Sequence, residues 1–347
     1  MQKSLYFCNM MRAKYYKWGI FLFILLLLLV TVMAVGLCVG EVNYSLADLW
    51  NILTTGGEDV RSGIWLKLRL PRVLLGLVVG GALSLSGSIL QGIFRNPLVE
   101  PYTLGISGGA SVGVALVIVF SLHTLFGVFT LPFAGFIGAF LTLLFVYMVG
   151  IHGRTIRIQS LLLTGVMISF IASSLLMLLM SLSKSEQLHS VIFWIMGGLN
   201  ETDTGLITLL SVTAFGVLVL SCFYAPALNA MRLGVERAAQ LGVNAERSVR
   251  ILFLFSSLLT GICVSVAGVV GFVGLIIPQL MRLIIGTDYR ILLVSSFLGG
   301  GIFLILCDLF ARTIISPNEL PIGVVTGIIG GVIFIVVMMR GKKVENE

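Results

Sequence analysis

Charge is scarce in this sequence of 347 residues: charged residues make up 11% of the chain and hydrophobic residues 58%. The mean hydropathy is +1.10, whereas a soluble domain devotes about a quarter of its residues to charge. The shortage of charge excludes an ordinary soluble globular fold. The composition predicts an all-α polytopic membrane protein surrounded by the lipid bilayer.

Cysteine and histidine are also scarce. The five cysteines and three histidines are dispersed, and none stands at ligand spacing from another. They indicate neither a disulfide framework nor a metal site, so we expect no cofactor bound by this chain. The net charge of +7 comes from basic residues at the ends of apolar runs, where such residues orient membrane proteins. It implies no nucleic-acid partner.

Ionisable groups are nearly absent from the apolar runs. Proton-coupled carriers generally need carboxylates or histidines at membrane depth, yet only Asp308 lies well inside such a run. Arg312 follows four residues later, a spacing that lets the two side chains pair on one helix face, and we interpret the pair as structural. The phosphate-binding pattern Gly-x-x-x-x-Gly-Lys-Ser/Thr is also missing. Both absences favour a separate motor subunit.

Apolar runs dominate what is present. Ten are expected to cross a bilayer, at residues 18–39, 71–94, 105–120, 131–150, 161–182, 206–224, 251–270, 272–285, 291–310 and 322–339. The basic residues at their ends predict a multi-pass protein of the cytoplasmic (inner or cell) membrane with both termini in the cytoplasm. Three connections are expected outside the membrane: residues 40–70 with a short surface helix, a turn around His123, and a cytosolic turn at Arg154 and Arg157.

Residues 225–250 form a polar interruption between two long apolar runs, and we call them the coupling segment. They carry four arginines against Glu236 and Glu246, a balance typical of the cytoplasmic side. Gly242 and Asn244 predict one short helix that ends at the glycine and a second that the asparagine caps. The pattern indicates a compact two-helix element, while an ordinary solvated loop is the alternative that charge alone leaves open.

Residues 105–109 read Gly-Ile-Ser-Gly-Gly, which matches the Gly-x-Ser-x-Gly of hydrolases and the Gly-x-Ser-Gly of intramembrane serine proteases. A nucleophilic Ser107 would need a strand-turn-helix setting or a histidine from a neighbouring helix. The three histidines fall at run ends or turns, so we favour close packing by small residues and expect no catalytic residue. An intramembrane protease and a stand-alone secondary carrier are the competing hypotheses.

A series of short motifs runs in order from Arg69 to Met339. They are Arg69-Leu70-Pro71-Arg72, Gln91, Arg95-Asn96-Pro97-Leu98-Val99-Glu100-Pro101, Leu104-Gly105-Ile106-Ser107-Gly108-Gly109-Ala110, Trp194-Ile195-Met196-Gly197-Gly198-Leu199, residues 234–242, Gly271-Phe272-Val273-Gly274-Leu275-Ile276-Ile277-Pro278, Asp288-Tyr289-Arg290 and Leu320-Pro321-Ile322-Gly323. Together they resemble the permease subunits of type II ATP-binding-cassette (ABC) importers for iron-siderophores, haem and cobalamin. Histidine is common in that family where this chain has Gln279, and serine or asparagine is common where it has Gly108.

This resemblance implies a BtuC-like permease fold of about ten helices, with residues 1–347 as one transmembrane domain and 225–250 as its cytoplasmic coupling helices. It further implies a homodimer, two ATPase subunits that bind ATP and Mg on the cytoplasmic face, and an extracytoplasmic substrate-binding protein.

The resemblance also implies roles for particular residues. Contact with the ATPase would fall to Leu233, Gly234, Glu236, Ala239, Leu241 and Gly242, and docking of the binding protein to Arg69, Arg72 and Arg312. A cytosolic gate would lie at Ile158 and Gln159. In the helix that follows, Gly165, Ser169 and Ala172 share a small, weakly polar face that suits a translocation path, with helix packing as the alternative.

Overall fold

The computed structural model describes residues 2–40, 60–122, 127–152, 155–156, 158–315 and 318–344. Their helices are α1 (Gln2–Cys38), α2 (Val60–Ile64), α3 (Leu70–Phe94), α4 (Ile106–Val119), α5 (Thr130–Gly150), α6 (Ile158–Leu182), α7 (Ser185–Ile195), α8 (Thr204–Phe223), α9 (Ala225–Met231), α10 (Val235–Gln240), α11 (Ala245–Ala267), α12 (Val273–Ile285), α13 (Tyr289–Thr313) and α14 (Ile322–Val344). Two-residue strands β1 (Ile151–His152) and β2 (Thr155–Ile156) form an antiparallel hairpin between α5 and α6.

The all-α polytopic fold is confirmed. Within the described residues, eight helical stretches are long and apolar enough to cross a membrane, and two shorter apolar helices, α4 and α12, complete the ten predicted crossings. The short helices of 14 and 13 residues rise only about 20 Å each. Irregular backbone precedes both of them, and such backbone is tolerated at membrane depth where protein buries it.

Helix α3 is the centre of the bundle, buried along nearly its whole length and in contact with α11, α12 and α13. Two glycines of α3 allow the neighbouring helices to approach this closely. A Cβ atom at Gly80 would collide with the carbonyl oxygen of Gly300 in α13, and one at Gly87 with the carbonyl oxygen of Gly274 in α12. The backbones therefore touch directly, as small residues permit in membrane helices.

A buried amide compensates for the proline inside α12. Pro278 has no N–H, so the carbonyl of Gly274 lacks its usual helical donor. The side chain of Gln91 in α3 donates from Nε2 to the carbonyl oxygens of Gly274 and Leu275, both at 3.2 Å. Its Oε1 accepts a hydrogen bond from Arg282 Nη1. Gln91 thus holds α12 against the central helix on both sides of Pro278.

The second crossing begins earlier than the sequence predicts. Helix α2 continues through a π-helical turn (Trp65–Arg69) into α3, giving one apolar helical stretch over Ser62–Phe94. The wider turn, closed by the Leu70 N–H on the Trp65 carbonyl, lets the helix pass Pro71 without stopping. The expected surface helix before it, and the turns at His123 and Arg154, lie outside the described residues.

Opposite ends of the bundle carry different side chains. Helix α3 carries Arg72 in its first turn and ends before its left-handed C-cap, Arg95. Arg95 lies near Gly234 of the coupling segment. We call the end with Arg72 and Arg312 the Arg72 end, and the end with Arg95 and Arg232 the Arg232 end.

Candidate functional site

The coupling segment is a structured element at the Arg232 end. Helix α10 ends at Gln240 with Leu241 as its C-cap, and the next residue, Gly242, has a left-handed φ of 80°. The Gly242 N–H bonds to Ala239 O at 2.9 Å and the Val243 N–H to Ala238 O at 3.0 Å. Asn244 then caps α11 by accepting from Arg247 N at 2.9 Å. The predicted glycine stop and asparagine cap are therefore both confirmed.

One face of the segment is buried and the other is open. Leu228 and Ala238 are fully buried and Met231 is nearly so, which anchors the segment to the bundle, while Leu233 is 57% and Leu241 64% exposed. Glu236 and Ala239 are exposed between them. Two leucines flank a charged helix at a polar end of the protein. This surface suits contact with another protein, whereas an ordinary solvated loop would lack the buried anchors.

A polar cluster at the start of α13 ties this segment to the rest of the chain. Asp288 Oδ1 accepts from Asn229 Nδ2 at 2.8 Å and Oδ2 from Lys14 Nζ of α1 at 3.0 Å, and Arg232 Nη1 donates to Thr287 O at 2.9 Å. Burial raises the pKa of Asp288, but the hydrogen bonds from Lys14 and Asn229 outweigh it and hold the pKa below its usual range. The carboxylate thus stays ionised at neutral pH, and its contribution is lost only as pH falls through that lowered pKa.

Four charged side chains form a network at the Arg72 end. Arg72 donates from Nε to Asp308 Oδ1 at 2.8 Å, and from Nη1 to Glu319 Oε1 at 2.8 Å and Oε2 at 2.9 Å. Arg312 Nε lies 3.6 Å from Asp308 Oδ2. The predicted pairing of Asp308 with Arg312 is confirmed, and the network extends it to Arg72 and Glu319.

Arg69 and Arg312 are mostly buried, at 7% and 6% exposed. Arg69 Nη1 donates to the carbonyl oxygens of Leu37 and Cys38, both at 3.2 Å, and Arg312 Nη2 donates to the carbonyl oxygen of Gly36. Both guanidinium groups thus bind the last turn of α1. Docking by these two residues stays a prediction, and each already holds backbone oxygens of its own chain.

The three arginines line one cleft of about 470 Å³ together with Glu319, Asn200 and Thr202. Among the described side chains of this cleft, three are guanidinium groups and one, Glu319, is a carboxylate, while the second carboxylate of the network, Asp308, is 2% exposed behind Arg72. The described part of the lining therefore carries more positive than negative charge and suits contact with an anionic group.

The small face of α6 packs inside the subunit. A Cβ atom at Gly165 would meet Leu104 Cα at 2.7 Å, and one at Gly108 of α4 would meet the Cβ of Ala172 at 2.8 Å. Ser169 Oγ donates to the Gly165 carbonyl oxygen at 3.0 Å. These contacts support helix packing in the single chain, while Ala172 also lines a cavity of about 540 Å³ between α4, α5 and α6. A role of Gly165, Ser169 and Ala172 in a translocation path stays a prediction. For Gln159, which is exposed, and for Ile158 the gate stays a prediction.

A family model, that of the FecCD transport family, matches residues 25–340 of the chain. The chain belongs to the FecCD transport family. The chain is 39% identical over 323 residues to the hemin transport system permease protein HmuU of Yersinia pestis, covering 92% of this chain and 95% of that protein. It is 36% identical over 321 residues to the vitamin B12 import system permease protein BtuC of Yersinia pseudotuberculosis, covering 92% and 93%.

A solved structure agrees with this family assignment. It is described as an inward-facing conformation of a metal-chelate type ABC transporter, and it matches this FecCD protein with a TM-score of 0.81 and 31% identity over 93% of this chain and 99% of that one. PsaBC from Streptococcus pneumoniae in complex with Fab matches with a TM-score of 0.51 and 15% identity, which shows a shared fold alone. The BtuC-like fold is confirmed.

The serine pattern of this FecCD protein does not lie in a nucleophile elbow. Gly105, with φ of 78°, begins the helix that carries Ser107, so the segment is a helix start following a 3-10 turn and lacks the strand of a nucleophile elbow. Among the described side chains, no group of three or more His, Cys, Asp or Glu residues could hold a metal ion. The relatives named above are permeases, which agrees with a non-catalytic chain.

Several residues of these sites escape sequence reasoning. Glu319 and Asn229 belong to no sequence motif. Only the structure shows that Glu319 binds Arg72 and that Asn229 binds Asp288. Asp288 carries a usable signal, because an aspartate just before an apolar run is a typical helix cap, and it does accept from Arg290 N at 3.1 Å.

Proposed function

We propose that this chain is the permease subunit of an ABC importer that moves an iron chelate, haem or cobalamin across the cytoplasmic membrane. The support is its FecCD membership and its similarity, over nine-tenths of its length, to permeases named for hemin and for vitamin B12. The cargo is proposed only as this class of large metal chelates.

The observation that carries the proposal is the coupling segment. Its exposed Leu233, Glu236, Ala239 and Leu241 stand on a buried base that hydrogen bonds join to α13 and α1. A push on this surface would therefore reach the membrane helices through packed side chains and not through a flexible loop. The partner is a separate ATPase subunit, which supplies ATP and Mg chemistry.

The orientation follows from the charges. Basic residues of the described chain gather at the Arg232 end, among them Lys14, Arg95, Arg232, Arg237, Arg247, Arg250 and Arg290. By the positive-inside tendency this end faces the cytoplasm with both termini. The Arg72 end then faces outward and receives an extracytoplasmic binding protein, and two copies of the chain form the membrane part of the complex.

Reconstitution tests the proposal. The chain is co-expressed with an importer ATPase subunit and a secreted substrate-binding protein from the same organism, purified in mild detergent and placed in lipid vesicles. We expect the ATPase to co-purify, and we expect uptake of haem, a ferric siderophore or cobalamin that needs both ATP and the binding protein. A non-hydrolysable ATP analogue is the control.

The stand-alone carrier makes the opposite prediction. In that case the chain alone would take up substrate in vesicles without ATP, driven by an ion gradient, and no ATPase would remain bound. Such uptake by the isolated chain would contradict the proposal. Specific labelling of Ser107 by a serine-reactive fluorophosphonate would instead support the protease.

A further inference from the structure

Arg72 holds two carboxylates that differ in accessibility. Its Nε binds Asp308, whose side chain is 2% exposed, and its Nη1 binds both oxygens of Glu319, whose side chain is 43% exposed. Arg72 itself remains 17% exposed. The Asp308 contact is therefore part of the interior, whereas the Glu319 contact lies where water or another molecule can reach it.

The cleft around this contact has room for another side chain. Its volume is about 470 Å³, and its charged lining is Arg69, Arg72, Arg312 and Glu319. If the Glu319 carboxylate left Arg72, Arg72 Nη1 would lose both of its carboxylate acceptors while Nε kept Asp308. Glu319 is the one carboxylate among the described side chains of the lining, and a second carboxylate could take its place on Arg72 with the same geometry.

Glu319 also belongs to a segment that joins two crossings. The Leu320 N–H bonds to the Ala311 carbonyl of α13 at 3.1 Å, and the Gly323 N–H in the first turn of α14 bonds to Met196 O at 3.0 Å. The Arg72–Glu319 pair therefore connects α3 to the start of α14. Release of this pair would loosen that connection while the backbone hydrogen bonds stay in place.

We propose that Glu319 is a built-in competitor for Arg72, and that an acidic side chain of the extracytoplasmic binding protein replaces it when that protein docks. The inference rests on the proposed function, which supplies the partner. Docking would then be an exchange of one carboxylate for another, and the connection between α3 and the start of α14 would be looser in the docked state. This competition weakens docking, because the ion pair formed between Arg72 and the binding protein is offset by the loss of the ion pair between Arg72 and Glu319.

The test compares docking to the chain and its variants in lipid nanodiscs. The probe is the secreted binding protein that supports uptake in the reconstituted vesicles, and its affinity is measured at low and at physiological salt. We expect Glu319→Gln, which removes the charge but keeps the shape, to tighten docking roughly two- to fivefold at low salt, since exposed pairs contribute little. Salt should weaken docking to this variant more steeply than docking to the unchanged protein.

Glu201→Gln is the matched control. Glu201 lies beside Asn200 and Thr202 of the same cleft, but its Oε1 accepts from the backbone N–H groups of Thr202 and Asp203 and not from Arg72. It should leave docking within twofold. Glu319→Ala is a second variant of the same residue and should also tighten docking. Adding Arg72→Gln to Glu319→Gln should abolish the gain, because the competition requires Arg72.

Three results would overturn the inference. The first is unchanged or weaker docking to both Glu319 variants, which would make the pair purely structural. The second is an equal gain from Glu201→Gln, which would show a general effect of charge. The third is a binding protein that supports uptake yet does not dock measurably to the unchanged chain. Failure of ATP-dependent uptake itself would instead contradict the proposed function, and the two failures are therefore distinguishable.

Discussion

Replacing Asp308 should be among the most damaging single changes at the Arg72 end. The Asp308 side chain is 2% exposed, and two arginines depend on it: Arg72 Nε at 2.8 Å and Arg312 Nε at 3.6 Å. In Asp308→Leu the apolar side chain fits a helix, but Arg312, 6% exposed, loses its counter-ion. Arg72 keeps Glu319, so the loss falls mainly on Arg312.

The expected cost follows from this burial. Removing one partner of a buried ion pair destabilises a protein by about 3–5 kcal/mol, because the remaining charge is left uncompensated. An exposed pair is worth only about 0.2–1 kcal/mol, which is the value expected for Glu319→Gln at 43% exposure. The double variant Asp308→Leu with Arg312→Met should recover most of the loss, since an apolar pair can replace a buried ion pair. It should not recover all of it, because the Gly36 carbonyl loses its arginine donor.

The assay is thermal unfolding of the purified protein in one detergent, followed by tryptophan fluorescence. We expect the midpoint of Asp308→Leu to fall by an amount on the order of 5–10 °C, that of Glu319→Gln to fall by far less, and that of the double variant to lie near the unchanged protein. A single variant as stable as Glu319→Gln would refute the reasoning. A double variant less stable than Asp308→Leu would refute it as well, since the uncompensated charge could not then be the cause.

Three further variants test the other sites. Ala239→Trp adds bulk to the exposed face of the coupling segment and should abolish ATP-dependent uptake while leaving the chain folded and inserted, so normal uptake would remove this surface from the ATPase contact. Ser107→Ala should retain most uptake, because alanine preserves the size of a packing residue; loss of activity by orders of magnitude is the signature of a nucleophile instead. Gln91→Leu should lower the unfolding midpoint through a cost of about 1–3 kcal/mol, since Arg282 and the Gly274 carbonyl lose their buried partner; a midpoint equal to that of the unchanged protein would show that the amide does not support α12.

The coupling segment could be predicted in detail because its signals are local. A left-handed glycine and an asparagine cap depend on the backbone within a few residues, so Gly242 and Asn244 determined where α10 ends and α11 begins. Hydropathy is local in the same sense, and the ten crossings follow from it. Even so, α1 extends well before the predicted start at residue 18, because a helix continues past its apolar part when polar residues are good helix formers.

The side chains that meet across the bundle could not be predicted in this way. The pairing of Gln91 with the proline-freed carbonyl of α12 joins positions 183 residues apart, and that of Arg72 with Glu319 joins positions 247 apart. The small face of α6 is a similar case. Glycine and alanine suit both a substrate path and a helix contact, and only the structure shows that Gly165 packs on Leu104 and Ala172 on Gly108 of α4.

The sequence by itself determined the membrane class, the number of crossings and the bent element at residues 225–250, since composition, hydropathy and capping act over one or a few helical turns. The tertiary structure alone decided that Arg69 and Arg312 bind backbone oxygens of α1, that Arg72 bridges a buried and an exposed carboxylate, and that Asp288 joins the coupling segment to two long helices. The physical reason is that a charged side chain in a low-dielectric bundle must find partners wherever packing brings them within hydrogen-bond distance. Which partners come within that distance depends on how whole helices pack.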